Sequence, residues 1–302
     1  MHIVNHTLPR ALMLLSWPLS VSMSLTLPTH ARAQAQGPAL PQPHAHVQAQ
    51  APAQIQAPPP DPAHPARTNP AGIDWVRVAD FQIARTETTV GQFRRYVMAS
   101  GVTTQAERQG GGSVFEAGWV RKPGWTWSSP FGAGHRPAED EPVAHVTYDE
   151  AQGFCRWAGG QLPDDAQWRL AAYTETRSEP APPFQRGRTY VFPTGERPQG
   201  AQCLEDCGAE ARAKAVRHGA RLSRGYGHAR AGQTVVGVNG LYDMGANLWE
   251  WVDEPKGLSG NAERLTRGGS WWYGAAQMRA DHLQSKPGNT AVVYIGFRCV
   301  RP

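Results

Sequence analysis

Residues 264–301 read RLTRGGSWWYGAAQMRADHLQSKPGNTAVVYIGFRCVR. Arg267-Gly268-Gly269-Ser270-Trp271 reads as a strand leading out of a glycine turn, because paired glycines allow close backbone approach and positive φ. The run from Val292 to Val300 has the β-branched and aromatic density of a buried strand. Between them the pattern predicts a polar loop with a short helix-like piece, Ala275 to Leu283.

Two further segments carry comparable information. Residues 142–172 read PVAHVTYDEAQGFCRWAGGQLPDDAQWRLAA, and residues 240–251 read GLYDMGANLWEW. The first predicts a strand, Pro142 to Tyr148, running into a helix. Thr147 and Glu150 form the capping box of that helix, and Gly159-Gly160 ends it. A following helix starts with Asp164 as its N-cap. Upstream, Asp74–Val78 and Phe81–Ile83 alternate like strands. Thr89 and Gln92 cap a helix with Val90, Phe93 and Val97 on one face.

Taken together, RGGSW, an arginine-bearing loop, a proline and the terminal GFR resemble the formylglycine-generating enzyme family, also called sulfatase-modifying factors. The resemblance runs from about Ile73 to Arg301. It implies a single C-type-lectin-like α+β domain over residues 73–302, poor in regular secondary structure. That fold also serves as a binding scaffold, so it does not settle function.

The family holds copper with two cysteines in the loop after RGGS, and soft thiolates are what select copper(I). Here those positions fall on Tyr273 and Met278, which removes the thiolate pair. Ser270, Trp271, Arg279 and Arg298 remain. A weak copper site from Met278, His282 and Tyr273 is the minor alternative; Met278 as pocket lining and His282 as a surface polar group is the ordinary reading. The 240–251 segment resembles the family's calcium loop. By position, Asp243 and Glu250 would give side-chain oxygens, and Ala246 and Leu248 carbonyls, to a structural calcium ion. Against this stands a carboxylate pair capping nearby N–H groups. Ala246 occupies the family's usual glycine place.

There are four cysteines. The family bridges the elements that hold Cys155 and Cys299, which implies that pairing here. Cys203 and Cys207 form a C-x₃-C. On a regular helix their Cβ atoms would lie about 5–6 Å apart, too far for a disulfide. Either a tight turn carries a bridge, or the thiols are free, or they form a metal pair; export favours the bridge.

The N-terminus predicts export. His2, His6 and Arg10 precede an apolar run, Ala11 to Leu27, and Ala31-Arg32-Ala33 fits signal-peptidase cleavage, giving a signal peptide over 1–33. An uncleaved anchor is the alternative, disfavoured because the run is interrupted and shorter than about 20 residues. Residues 34–72 are dominated by Ala, Gln, Pro and His and predict a disordered linker. The mature protein is then periplasmic or secreted, with no membrane span, and is expected to be a monomer.

Thirty-two glycines and 26 prolines in 302 residues predict a loop-rich architecture. Eleven tryptophans predict a core of large aromatic blocks whose N–H groups meet loop carbonyls. In the Gly-, Pro- and Trp-rich stretch 110–142, Trp119, Trp125 and Trp127 read as core plugs before a ligand-facing wall. The formal charge of +5 includes Arg10 and Arg32 of the leader. No basic run is interleaved with stacking aromatics, so nucleic acid is not expected. Arg212, Lys214, Arg217, Arg221, Arg224 and Arg230 read as a solvated face in preference to an anion-docking one. No nucleophile–base arrangement, phosphate loop or zinc spacing stands out.

These features suggest an exported protein that lacks copper–cysteine oxidase activity and binds a protein or small ligand in the former substrate groove. A divergent periplasmic oxidase of protein or siderophore maturation is the alternative. A displayed receptor-like module is a third, since variable lectin-type proteins also end in RGGSW…GFR.

Overall fold

Phe81–Ala84 (β2) is paired on both sides, by Trp75–Val78 (β1) and by the last strand, Val300–Arg301 (β9), all antiparallel. The structure, a computed structural model, describes residues 69–253 and 263–302. The expected signal peptide and most of the linker lie outside the described residues. A second sheet has the order β7 (Gln284–Pro287), β6 (Glu263–Arg267), β5 (Trp249–Trp251), β8 (Ile295–Gly296). Its β5–β8 pair is parallel and the others are antiparallel. Ser113–Phe115 (β3) and Trp119–Arg121 (β4) make a small hairpin.

The helices are short: α1 (Val90–Ser100), α2 (Gln105–Arg108), α3 (Tyr148–Trp157), α4 (Asp165–Tyr173) and α5 (Glu210–Lys214). The expected capping boxes of α1 and α3 are both formed, and Asp164 caps α4 with Gln167 completing the box. Each supplies donors or acceptors to orphan backbone groups at a helix start. The result is one mixed α+β domain with long irregular connections.

Helices and sheets meet over an aromatic core. Phe93 of α1 and Phe154 of α3 stack at 5.9 Å, and Phe297 packs edge-on against Phe154 at 5.3 Å. Beside them Cys155 and Cys299 form a disulfide across 144 residues of chain. Gly160 lets the segment after α3 run beside the last strand, since a Cβ there would sit 2.3 Å from the Val300 carbonyl.

Several expectations are corrected. The strand near RGGSW lies before the glycines, as β6, and Gly268 (φ 94°) and Gly269 (φ 79°) turn the chain out of it. Residues 292–300 are all buried but do not form one strand. The Phe297 and Cys299 carbonyls accept from Thr88 and Ala84 instead of continuing a ladder. Residues 142–147 are not a strand either, because His145 has φ 58°. Of the helix expected over 275–283, only a 3₁₀ turn, Ala275–Met278, is present. Trp125 and Trp127 are core residues, whereas Trp119 is 45% exposed. Trp251 donates to the Val146 carbonyl as expected, but Trp168 and Trp127 donate to carboxylates.

Candidate functional site

The turn at Gly268-Gly269 leads from β6 into residues 270–273, where the Trp271 amide donates to the Asn247 carbonyl at 2.9 Å. A Cβ at Gly268 would lie 2.8 Å from the Met244 carbonyl, so the turn needs glycine for space as well as for φ. Ser270 is fully buried, and its carbonyl accepts from the Tyr273 amide at 2.9 Å. Trp272 stacks on Tyr294 at 5.5 Å. Tyr273 is half-buried against Trp249 and Tyr294. The guanidinium of Arg224 lies 4.8 Å from the Tyr273 ring, and the Lys286 ammonium lies 5.2 Å from Trp249. Burial pushes Lys286 down to about 8, with Glu263 opposing the shift.

Met278 goes elsewhere. It is fully buried in a cluster with Ala201, Ala246, Ala275, Cys203 and Cys207. Its thioether sulfur lies 3.7 Å from Cys207 Sγ. Cys203 and Cys207 are joined as a disulfide, Cα to Cα 5.9 Å, on an irregular loop and not on a helix. Arg279 turns outward and forks onto Asp281 at 3.0 Å. His282 packs against Trp249 at 5.8 Å. Of the four positions carried over from the family's active site, Ser270 and Tyr273 are close neighbours on one turn. Met278 is in a different packing cluster and Arg279 faces water. Tyr273, Met278 and His282 therefore do not fit a shared copper site.

The side-chain oxygens expected to hold calcium already have protein donors. Glu250 is fully buried; its Oε1 accepts from Arg298 Nε (2.9 Å) and Nη2 (2.7 Å), and its Oε2 from Arg298 Nε and Trp168 Nε1, both at 2.8 Å. Asp243 accepts from the Gly232 amide at 2.7 Å and the Thr234 hydroxyl at 2.5 Å. Arg298 also donates to the carbonyls of Ala84, Arg85 and Tyr242. A guanidinium already supplies the positive charge that a cation would bring. The set Asp243, Ala246, Leu248 and Glu250 thus does not fit a resident calcium ion without losing these donors. Ala246 and Asn247 both take positive φ, 59° and 51°, so the loop keeps a left-handed bend without glycine at 246. Nearby Glu87 accepts from the Leu248 amide and the Asn247 side chain. Burial, and then the charges of Asp243 and Glu250, push its carboxyl well above the usual range.

A second constellation was not legible in the sequence. Glu141 Oε2 accepts from His135 Nε2 at 2.9 Å and from His228 Nε2 at 3.0 Å, while Oε1 accepts from the Ala138 amide at 2.9 Å. All three side chains are buried. Burial alone would raise Glu141; the hydrogen bonds from the two histidines outweigh it and hold the carboxyl well below its ordinary value. Phe131 stacks on His218 at 3.9 Å and touches the rings of His135 and His228, both at 5.2 Å. His135 and Glu141 line a groove of about 840 Å³, together with Arg136, Asp140, Lys214, Arg217 and Arg230. These residues come from sequence-distant loops and the end of α5 with no regular spacing, and only the basic stretch gave a signal.

A family model for the sulfatase-modifying factor enzyme 1-like domain matches residues 47–302. The chain belongs to the sulfatase-modifying factor family. The formylglycine-generating enzyme of Thermomonospora curvata is 27% identical over 269 residues, covering 74% of this chain and 82% of that one. The protein named inactive C-alpha-formylglycine-generating enzyme 2 of Mus musculus is 28% identical over 252 residues, covering 74% and 76%. Among solved structures, PvdO from Pseudomonas aeruginosa is similar with a TM-score of 0.48 at 17% identity, covering 73% of this chain and 80% of that chain.

Proposed function

We propose that this family member works outside the cytoplasm as a ligand-binding domain and does not oxidise cysteine through a thiolate-held copper. The observation that carries the reading is the fate of positions 273 and 278. One holds a tyrosine packed under Arg224, and the other a thioether buried against a disulfide. Neither supplies a thiolate, and their side chains pack into different clusters. A relative whose name calls it an inactive formylglycine-generating enzyme matches over a similar span, which supports the part of the reading that denies cysteine oxidation.

Two disulfides support an oxidising compartment, periplasmic or extracellular. Among the described residues no helix is long and apolar enough to cross a membrane. Residues 1–33 as a cleaved signal and 34–72 as a tether complete the proposal.

The test is oxygen uptake by the purified protein with a cysteine-containing peptide, with and without added copper. The expected rate equals the protein-free blank in both. Sustained uptake that depends on the peptide would support the divergent-oxidase alternative instead.

A further inference from the structure

The groove beside His135 is separate from positions 273 and 278, neither of which lines it. Its wall is built and not merely charged. A carboxylate only accepts hydrogen bonds, so the proton between Glu141 and His135 sits on His135 Nε2. In the tautomer that carries its proton on Nε2, the other ring nitrogen, Nδ1, is an acceptor, and it makes no hydrogen bond to another described residue. His135 is 6% exposed and so presents one fixed edge. Its orientation is set by a carboxylate that is itself held by two further donors, the Ala138 amide and His228.

The rim is cationic. Asp140 and Arg230 answer one another at 3.3 Å, and Lys214 lies 3.9 Å from Glu210 and donates to the Gly200 carbonyl at 3.3 Å. Arg136 and Arg217 are exposed and have no carboxylate partner among the described residues. They stand on two different loops, 81 positions apart in the chain by their numbers. Guanidinium groups bind carboxylates through paired N–H donors, and a concave cationic wall focuses the field on an anion. A volume near 840 Å³ lies within the range of small-molecule sites.

We infer that this groove binds a small organic acid carrying at least two carboxylates and a hydroxyl. Arg136 and Arg217 take the carboxylates, and the hydroxyl donates to His135 Nδ1. Glu141 and His228 are positioning residues that fix the imidazole edge. The inference deepens the ligand-binding reading and rests on it.

Isothermal titration with citrate, and with tricarballylate as the analogue lacking the hydroxyl, tests the assignment. Citrate is expected to bind saturably and more tightly than tricarballylate. Arg136→Ser with Arg217→Ser, both at exposed positions, should weaken both ligands about tenfold or more. His135→Phe should abolish the preference for citrate while leaving tricarballylate affinity close to wild type; circular dichroism and an unchanged unfolding midpoint for the arginine pair report on folding. Absence of saturable citrate binding to the wild type, or unchanged affinity in the arginine variant, overturns the inference. Either result, with oxygen uptake still at the blank, removes this ligand class and leaves the binding reading standing.

Discussion

The turn carrying positions 273 and 278 and the groove beside His135 solve opposite problems on one scaffold. At the turn, side chains that replace metal ligands have become packing: Met278 is buried against the 203–207 disulfide, and Tyr273 is wedged among Trp249, Tyr294 and Arg224. At the groove, polar groups that packing alone would disfavour are buried and joined in a His–Glu–His cluster beneath an open cationic rim. The turn is filled by packed side chains, whereas the groove holds its buried polar groups at a cost.

The largest expected effect falls on the frame both regions share. Replacing Cys155 and Cys299 by serine releases a 144-residue link; loop entropy puts the loss at about 5 kcal/mol, less any native strain. The same change at Cys203 and Cys207 opens a link of 4 residues and should cost about 2 kcal/mol. Denaturant unfolding of the two double variants checks the order. Equal losses would mean that the long bridge does not set the frame.

Arg298→Met leaves Glu250 buried without its counter-charge, and a loss of roughly 3–5 kcal/mol is expected. Millimolar calcium should not rescue that variant, nor should chelation lower the melting point of the wild type. Rescue would show that the Asp243–Glu250 loop accepts a cation after all.

Lys286 separates the two regions by pH. Its folded value is about 8, against 10.5 for the free side chain. Below pH 8 it is charged folded and unfolded alike, and the burial penalty is complete. Between pH 8 and 10.5 the unfolded chain holds more protons, so stability rises with pH. Lys286→Met should remove that rise, by an amount on the order of 1–3 kcal/mol. A wild type and variant with parallel pH curves would contradict the burial of this ammonium. At the groove, Glu141→Gln should cost about 1–3 kcal/mol by weakening two charge-assisted hydrogen bonds. Tyr273→Phe should fall within about 0.5 kcal/mol of wild type. Thermal unfolding of the pair compares a polar cluster with a filled site directly.

Local chemistry was the legible part of the sequence. Thr89, Thr147 and Asp164 each met the partner three residues on that their helix start requires. The helix-to-last-strand bridge came from the family resemblance, and the structure forms it. Apolar runs were less informative: the run 292–300 announced burial but not which carbonyl would meet which amide, and His145 with φ 58° broke the strand expected at 142–148. Glu250 suited a cation by position, but nothing local revealed that Arg298 would claim both of its oxygens. The groove was hidden for a similar reason. His135 and Glu141 are six residues apart and His228 another 87 on, so only folding brings them together.

Anaerobic titration of copper(I) against a competing chelator, for the wild type and for Tyr273→Cys with Met278→Cys, bears most directly on the fate of the old metal positions. The wild type should take up no copper at these positions, and the double variant should gain a site. One tightly held copper per wild-type chain, lost on changing Tyr273 or Met278 to alanine, would contradict the account.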